Sequence, residues 1–302
     1  MGSDMAPVET TVEIIIGDAL ARIRELPDGS VQCCVTSPPY YGLRNYGVEG
    51  QIGMETTVNQ YVARLTEVFS EVLRVLKPDG TLWLNLGDSY ATGAGSARVA
   101  GGKCFGKQNK AIANFAFPRS QPNRMPQPGF KPKDLIGIPW RVAFALQTAR
   151  WWLRSDCIWH KPNPMPESVS DRPTRAHEYV FLLSKAERYY YDAEAVRETG
   201  GPGNHRRSPK GRSLRSVWSL PASPYKGHFA TFPPELARRC ILAGSRPGDT
   251  VLDPFAGSGT TGAVARELGR NAILIELQPD YHALIKKRLS SAQPPLFVEG
   301  AA

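Results

Sequence analysis

The chain has 302 residues, 41% of them hydrophobic and 22% charged, with a formal net charge of +9. That length can bury one large α/β core, or one core with a small appendage. No apolar run reaches the roughly 18 residues a membrane span needs, and the first residues lack the apolar centre of a signal peptide.

Met1-Gly2-Ser3-Asp4-Met5 reads as an added leader ahead of Met5, so the fold is sought from residue 6 onward. Residues 11–16 alternate and then run apolar, a strand pattern ending at Gly17-Asp18. Residues 19–26 predict a short helix, stopped by Pro27-Asp28-Gly29. Residues 31–35 form a short apolar run of the kind a buried parallel strand carries. Ser37-Pro38-Pro39 ends it, because proline donates no ladder hydrogen bond. Val58, Tyr61, Val62, Leu65, Val68, Phe69, Val72 and Leu76 then recur at helical spacing on one face. Lys77-Pro78-Asp79-Gly80 closes that helix with turn chemistry, and residues 81–86 predict the next strand.

Residues 91–133 have no sustained period and read as a long loop. Residues 134–153 predict a helix, with Pro139 near its start. Residues 155–159 predict a strand, 162–173 a proline-rich crossing, 178–183 a second strand and 188–192 a further short one. Trp151-Trp152 is expected in the core and Tyr189-Tyr190-Tyr191 in strand packing. Residues 197–226 read as loop. Beyond them come a helix at 234–243, a strand at 250–252, a helix at 259–268, a strand at 271–275 and a helix at 279–290. Strands alternating with helices imply a doubly wound, mostly parallel α/β sheet, Rossmann-like, with helices on both faces.

The positive charge is concentrated. Residues 91–133 hold eight Lys/Arg and no Asp/Glu, and residues 197–226 hold seven Lys/Arg and one acid, Glu198. The two stretches carry +14, leaving about −5 for the rest of the chain. Such placement in Gly/Pro/Ser-rich segments points to a polyanion partner. Five cysteines include no C-x-x-C pair, and none of the five histidines has metal-ligand spacing. Neither zinc nor a disulfide framework is suggested, and a reduced, cytoplasmic protein is the expectation.

Two motifs carry chemistry. The first is Val251-Leu252-Asp253-Pro254-Phe255-Ala256-Gly257-Ser258-Gly259-Thr260-Thr261-Gly262, a strand, a G-x-G-x-x-G turn and a helix start. Glycines there let the backbone turn tightly and approach a ligand. The next strand ends at Glu276, about twenty residues on, where a carboxylate can accept both ribose hydroxyls. That pattern implies a nucleoside cofactor. Dehydrogenases usually carry the turn on their first strand, whereas here it is almost last. The second motif is Thr36-Ser37-Pro38-Pro39-Tyr40, at the carboxyl edge where α/β sheets bind ligands. Two prolines fix φ and hold the carbonyls rigid. Those carbonyls and the Ser37 hydroxyl can accept hydrogen bonds from an NH₂ group. Tyr40 offers a flat face for a base, worth roughly 1–3 kcal/mol. Acceptors around an exocyclic amine draw its nitrogen toward sp³ and free its lone pair, so position and electrostatics do most of the work.

With these residues in place, the chain resembles the amino-methyltransferases of DNA in their permuted β-class order, catalytic motif first and cofactor motif last. The resemblance covers nearly the whole chain. Thr36–Tyr40 resembles the (D/N/S)-P-P-(Y/F/W) motif, and the Gly257–Thr261 turn resembles the S-adenosylmethionine (SAM) motif. It implies that Asp18 binds the adenine edge of SAM, that Phe255 packs beside the adenine and that Glu276 holds the ribose. Thr36, Asp253, Ala256, Gly257, Ser258, Gly259, Thr260 and Thr261 complete the implied cofactor site. The block of His228 and Phe232 would pack on its methionine end. Trp159-His160-Lys161, through Arg172 to His177-Glu178, resembles the block lining the base pocket.

Serine at the first motif position is usual in cytosine-N4 enzymes and aspartate in adenine-N6 enzymes, so Ser37 implies cytosine N4. Carbon-5 methylation needs a cysteine nucleophile, usually after proline, and the chain has no Pro-Cys. The target base would be flipped out of double-stranded DNA. The resemblance puts target recognition in residues 193–226, with His205, Arg206, Arg207, Lys210, Arg212 and Arg215 as candidate DNA contacts. Residues 91–133 would form a second basic clamp through Lys103, Lys107 and Lys110. Residues 6–90, 134–192 and 227–292 would make the catalytic domain. A separate cognate restriction endonuclease and a monomer or homodimer are the expected partnership. Adenine N6 on the same scaffold, a non-catalytic DNA-binding protein and an RNA methyltransferase stay open.

Overall fold

The computed structural model describes residues 10–43, 47–48, 50–91, 129–198, 211–223 and 232–295. Its elements run β1 (Val12–Ile16), α1 (Ala19–Arg24), β2 (Val31–Thr36), α2 (Val58–Val75), β3 (Leu76–Leu86), α3 (Ile138–Thr148), β4 (Trp152–His160) and β5 (His177–Ser184). There follow β6 (Val217–Ser219), α4 (Pro234–Gly244), β7 (Thr250–Asp253), α5 (Thr260–Glu267), β8 (Asn271–Glu276) and α6 (Tyr281–Ser291). The eight strands form one sheet in the order β1-β8-β7-β2-β3-β5-β4-β6.

Only β5 runs against its neighbours; every other pairing in the sheet is parallel. The doubly wound expectation therefore holds, with one reversed strand. That reversal places the start of β5 at the same edge as the ends of β2, β3, β4, β7 and β8. Chain direction in the sheet diverges between β7 and β2, the switch point where α/β folds open a crevice.

Each face buries its own core. One holds Ile23 of α1, Leu65, Phe69 and Val72 of α2, and Val142 and Leu146 of α3. The other holds Leu236 and Ile241 of α4, Val264 of α5 and Ile285 of α6. Six of the eight positions read from the sequence as the buried face of α2, Val58, Tyr61, Leu65, Val68, Phe69 and Val72, are 3% exposed or less, while Val62 is only half-buried and Leu76 begins β3. Thr57 starts this helix with a reciprocal capping box, its hydroxyl accepting from Gln60 N while the Gln60 side chain accepts from Thr57 N. Such a cap satisfies two orphan donors of the first turn.

Several boundaries differ from the sequence reading. Lys77-Pro78-Asp79-Gly80 lies inside β3, where the register slips between Val31↔Leu76 and Cys33↔Thr81. Its carbonyls find partners outside the sheet, with Tyr190 N donating to Asp79 O and Lys185 N to Gly80 O. The helix expected over 134–153 is confined to α3. Gly137, left-handed at φ 77°, precedes it, and Arg150 at φ 75° turns the chain out of it. Residues 188–192 form no strand; Tyr190 instead bonds Asp192 and lies under Arg246. Trp151 is buried as expected, but Trp152 is 46% exposed at the open end of β4. The stretch 197–226 is not all loop. It contains β6, where buried Trp218 packs 6.1 Å from the Trp83 ring. No helix among the described residues is long and apolar enough to cross a membrane.

Candidate active site

A cleft of about 670 Å³ opens at the carboxyl edge over the switch point. That volume is ordinary for a small-molecule site. Ser37, Pro38, Pro39 and Tyr40 line one part of it. Asp18, Asp253, Phe255, Ala256, Gly257, Ser258, Thr260 and Glu276 line another, and Phe232 also belongs to the lining. Two motifs more than two hundred residues apart thus share one cavity.

The glycine turn performs as its spacing predicts. Gly257 and Gly259 sit at φ 54° and 79°, conformations that favour glycine. A Cβ on Gly262 would lie 2.5 Å from Leu274 Cδ1, so this glycine lets α5 press against β8. Glu276 braces the turn: one carboxylate oxygen accepts from Gly257 N at 2.7 Å and the other from Gln278 N at 2.8 Å. Burial pushes its carboxyl up to about 7, against the pull of those two amides. The Ser258 hydroxyl is buried without a partner and lines the cleft. A buried orphan hydroxyl, a carboxylate and a glycine cradle fit the polar end and ribose of a nucleoside cofactor. Phe255 offers an apolar wall and packs edge-on against Phe69 at 6.5 Å.

Asp18 also caps α1, accepting from Ala21 N at 2.9 Å, and lies 3.6 Å from Arg64. Thr36 and Thr261, expected as cofactor contacts, have another place. Both are fully buried, away from the lining, and donate to the two oxygens of Asp253 at 2.7 and 2.6 Å. Asp253 takes a third hydrogen bond from Phe255 N, and burial raises its carboxyl above the usual range. This trio ties the end of β7 to the end of β2, fixing one motif against the other. Gly259 likewise faces Ile285 rather than the cleft.

The Ser-Pro-Pro-Tyr corner is held from behind. Tyr61, fully buried on α2, donates its hydroxyl to Pro39 O at 2.9 Å. Tyr40 is gripped at its tip: its hydroxyl donates to Glu178 Oε2 at 2.5 Å and accepts from Ser37 Oγ at 3.3 Å. Burial, then the Glu178 charge, push the Tyr40 phenol well above its ordinary range, so it stays protonated. Glu178 also accepts from Asn85 Nδ2 at 3.1 Å and pairs with Lys161, whose ammonium lies 4.3 Å from the Trp159 ring centroid. Asn85, Glu178 and Trp159 stand on β3, β5 and β4, and Lys161 follows β4 directly.

Asn85, Gly87 and Asp88 were not legible as site residues. Asp88 Oδ1 accepts from Gly137 N and Ile138 N, capping α3 in place of a side chain at Gly137. Arg175 donates to Asp88 O, and it shares the Tyr90 ring with Arg172 at 5.1 and 3.9 Å. The β4–β5 connection is thereby tied to the cleft wall. Among the candidate DNA contacts, Arg212 and Arg215 both pair with Glu198, at 2.7 and 2.9 Å. Lys103, Lys107, Lys110, His205, Arg206, Arg207, Lys210 and the expected cofactor residue His228 lie outside the described residues.

A nucleoside cradle braced by a carboxylate faces an acceptor-lined corner that ends in a tyrosine. Fold and site together define the class of Rossmann-like amino-methyltransferases. The model of the DNA methylase family, comprising N6- and N4-methyltransferases, matches residues 31–287. The chain belongs to that family, which uses SAM as methyl donor. It is 53% identical over 274 residues to the type II methyltransferase M.Cfr9I of Citrobacter freundii, covering 90% of this chain and 86% of the relative. It is 52% identical over 279 residues to M.SmaI of Serratia marcescens, covering 92% and 90%. A DNA modification methylase of Thermus thermophilus, so described and solved with SAM, superposes with TM-score 0.62 and 26% identity, covering 94% of this chain and 97% of that one. The cytosine-N4-specific PvuII DNA methyltransferase shares the fold, with TM-score 0.63 and 22% identity over 95% of this chain and 90% of that one.

Proposed function

We propose that this enzyme methylates the exocyclic N4 of a flipped-out cytosine within a short double-stranded recognition sequence. Its role would be that of the modification partner in a type II restriction system, as the names of its relatives suggest. The observation that carries the cytosine reading is Ser37 at the head of the Ser-Pro-Pro-Tyr motif. Ser37 Oγ and the Pro38 carbonyl accept the amine hydrogens, and Tyr40 carries the base on its face. Bound SAM supplies an electrophilic methyl group. Asp18 and Phe255 receive the adenine, Glu276 the ribose, and Ser258 with the glycine turn the polar tail, while Phe232 closes the methionine end. Acceptors fixed before the substrate arrives need no reorganisation as charge develops on the nitrogen.

Residues 193–226 serve target recognition and residues 91–133 add phosphate contacts. Arg212 and Arg215, which share the single carboxylate of Glu198 and keep a net positive charge, stand at the base of the recognition segment and meet DNA together with His205, Arg206, Arg207 and Lys210. A nuclease of the same specificity acts separately, and the enzyme works as a monomer or homodimer.

The test is product analysis. DNA methylated by the purified enzyme is digested to nucleosides and resolved by mass spectrometry. N4-methylcytosine is expected, and N6-methyladenine as the sole product overturns the cytosine assignment.

A further inference from the structure

We infer that Glu178 is a positioning residue that fixes the direction of the hydrogen-bond chain ending at Ser37. The inference rests on the reading of Ser37 as the amine acceptor. A serine hydroxyl has one proton and two lone pairs, and it rotates to suit its neighbours. Left to itself, Ser37 could meet the target amine with its proton, and donor would face donor. Something must take that proton away.

The chain of contacts does so in one direction only. Three donors converge on Glu178: the Tyr40 hydroxyl at 2.5 Å, the Asn85 amide at 3.1 Å and the Lys161 ammonium. Glu178 is therefore the acceptor at every contact. Tyr40 commits its only proton to Glu178, the alternative at Asn85 Oδ1 being 3.4 Å away. The Tyr40 oxygen is left to accept, and Ser37 Oγ lies 3.3 Å from it. Ser37 donates there, and its lone pairs face the cleft. An aspartate at position 37 would be an acceptor without any such help, whereas a serine needs its polarity set from outside.

No proton is transferred in this scheme, and Glu178 acts on Ser37 through Tyr40 rather than on the amine itself. Glu178→Gln tests it because the new amide can donate to the Tyr40 oxygen. Tyr40 then turns its proton toward Ser37, and Ser37 turns its own toward the amine. The expected result is a fall of at least ~10-fold in the single-turnover methylation rate, with DNA and SAM dissociation constants within about threefold of wild type.

The decisive comparison is a double-mutant cycle. On a Ser37→Ala background, Glu178→Gln should have almost no further effect, because no hydroxyl remains to be oriented. A merely structural role for Glu178 predicts the same fold-loss on both backgrounds, and that result overturns the inference. An unchanged rate in Glu178→Gln overturns it as well. If Glu178→Gln fails to bind SAM, Tyr40→Phe cuts the same chain one bond earlier. Its effect should also vanish on the Ser37→Ala background, and multiplicative losses there overturn the inference. Wild-type activity in Ser37→Ala alone is the separate outcome that sinks the reading of the amine site.

Discussion

Gly87 offers a direct probe of how finely Tyr40 is placed. It lies one residue past β3, and a Cβ there would stand 2.5 Å from Tyr40 Cε2, 3.0 Å from Cδ2 and 3.2 Å from Cζ. Carbon atoms rest at about 3.5–4.0 Å, so Gly87→Ala drives the ring back by roughly 1 Å. The ring cannot simply swing, because its hydroxyl is tied to Glu178 at 2.5 Å. Gly87 is not among the positive-φ glycines, so alanine adds no backbone strain. Tyr40 borders an open cleft, and relief toward it should hold the loss of stability below about 2 kcal/mol. A misplacement of about 1 Å in a positioning group lowers rate by ~10²-fold, or about 2.7 kcal/mol of barrier. The assay is single-turnover transfer of labelled methyl to DNA, with SAM affinity and denaturant midpoint measured alongside. SAM affinity should be unchanged, because the glycine turn stands on other strands. A rate within about threefold of wild type in a folded, SAM-binding variant refutes the claim that Tyr40 must sit where it does.

Three further outcomes follow from the buried carboxylates. Glu276, pushed up to about 7 by burial, binds a proton in the fold that it has already lost in the unfolded chain between pH 4.5 and 7. Stability therefore falls as pH rises through that window, by about 3 kcal/mol for this one group, and Glu276→Gln should flatten the slope in denaturant titrations. SAM affinity should run the other way, weakening by up to ~10-fold per pH unit below about 7 as the ribose acceptor is protonated. An affinity flat from pH 6 to 8 overturns that role. Thr261→Val keeps the shape of the side chain but leaves buried Asp253 short of a donor held at 2.6 Å. It should cost about 1–3 kcal/mol of stability by chemical denaturation, and a value near zero refutes the strut between β7 and β2.

Much of this was legible in the chain, for identifiable reasons. α2 announces itself because seven of its eighteen residues are buried on one side at helical spacing. The glycine turn is legible because each glycine answers a local need, two for φ and one for the contact with Leu274. β6 escaped notice because three residues with a single buried side chain make no period. The start of β3 was misread because Pro78 and Gly80 are turn residues by habit, and the partners of the Asp79 and Gly80 carbonyls come from the distant segment at 185–190. The Tyr40–Glu178 bond spans 138 residues, so no spacing rule could join them. Thr36 and Thr261 looked like ligand contacts because they belong to the two motifs. Their burial shows that belonging to a motif and facing its site are different things.

β4 and β5 form an antiparallel pair whose connection lies at the reactive edge. Lys161 N donates to Ala176 O at 2.7 Å, and below that bond the register is locked through His160↔His177 and Trp159↔Glu178. Residues 162–175 leave from this clasp and are pinned a second time near their end, where Arg172 and Arg175 meet Tyr90 and Asp88. Substitutions between those two anchors, at Asn163, Pro164, Met165 or Glu167, can reshape the mouth of the cleft without shifting Lys161 or Glu178.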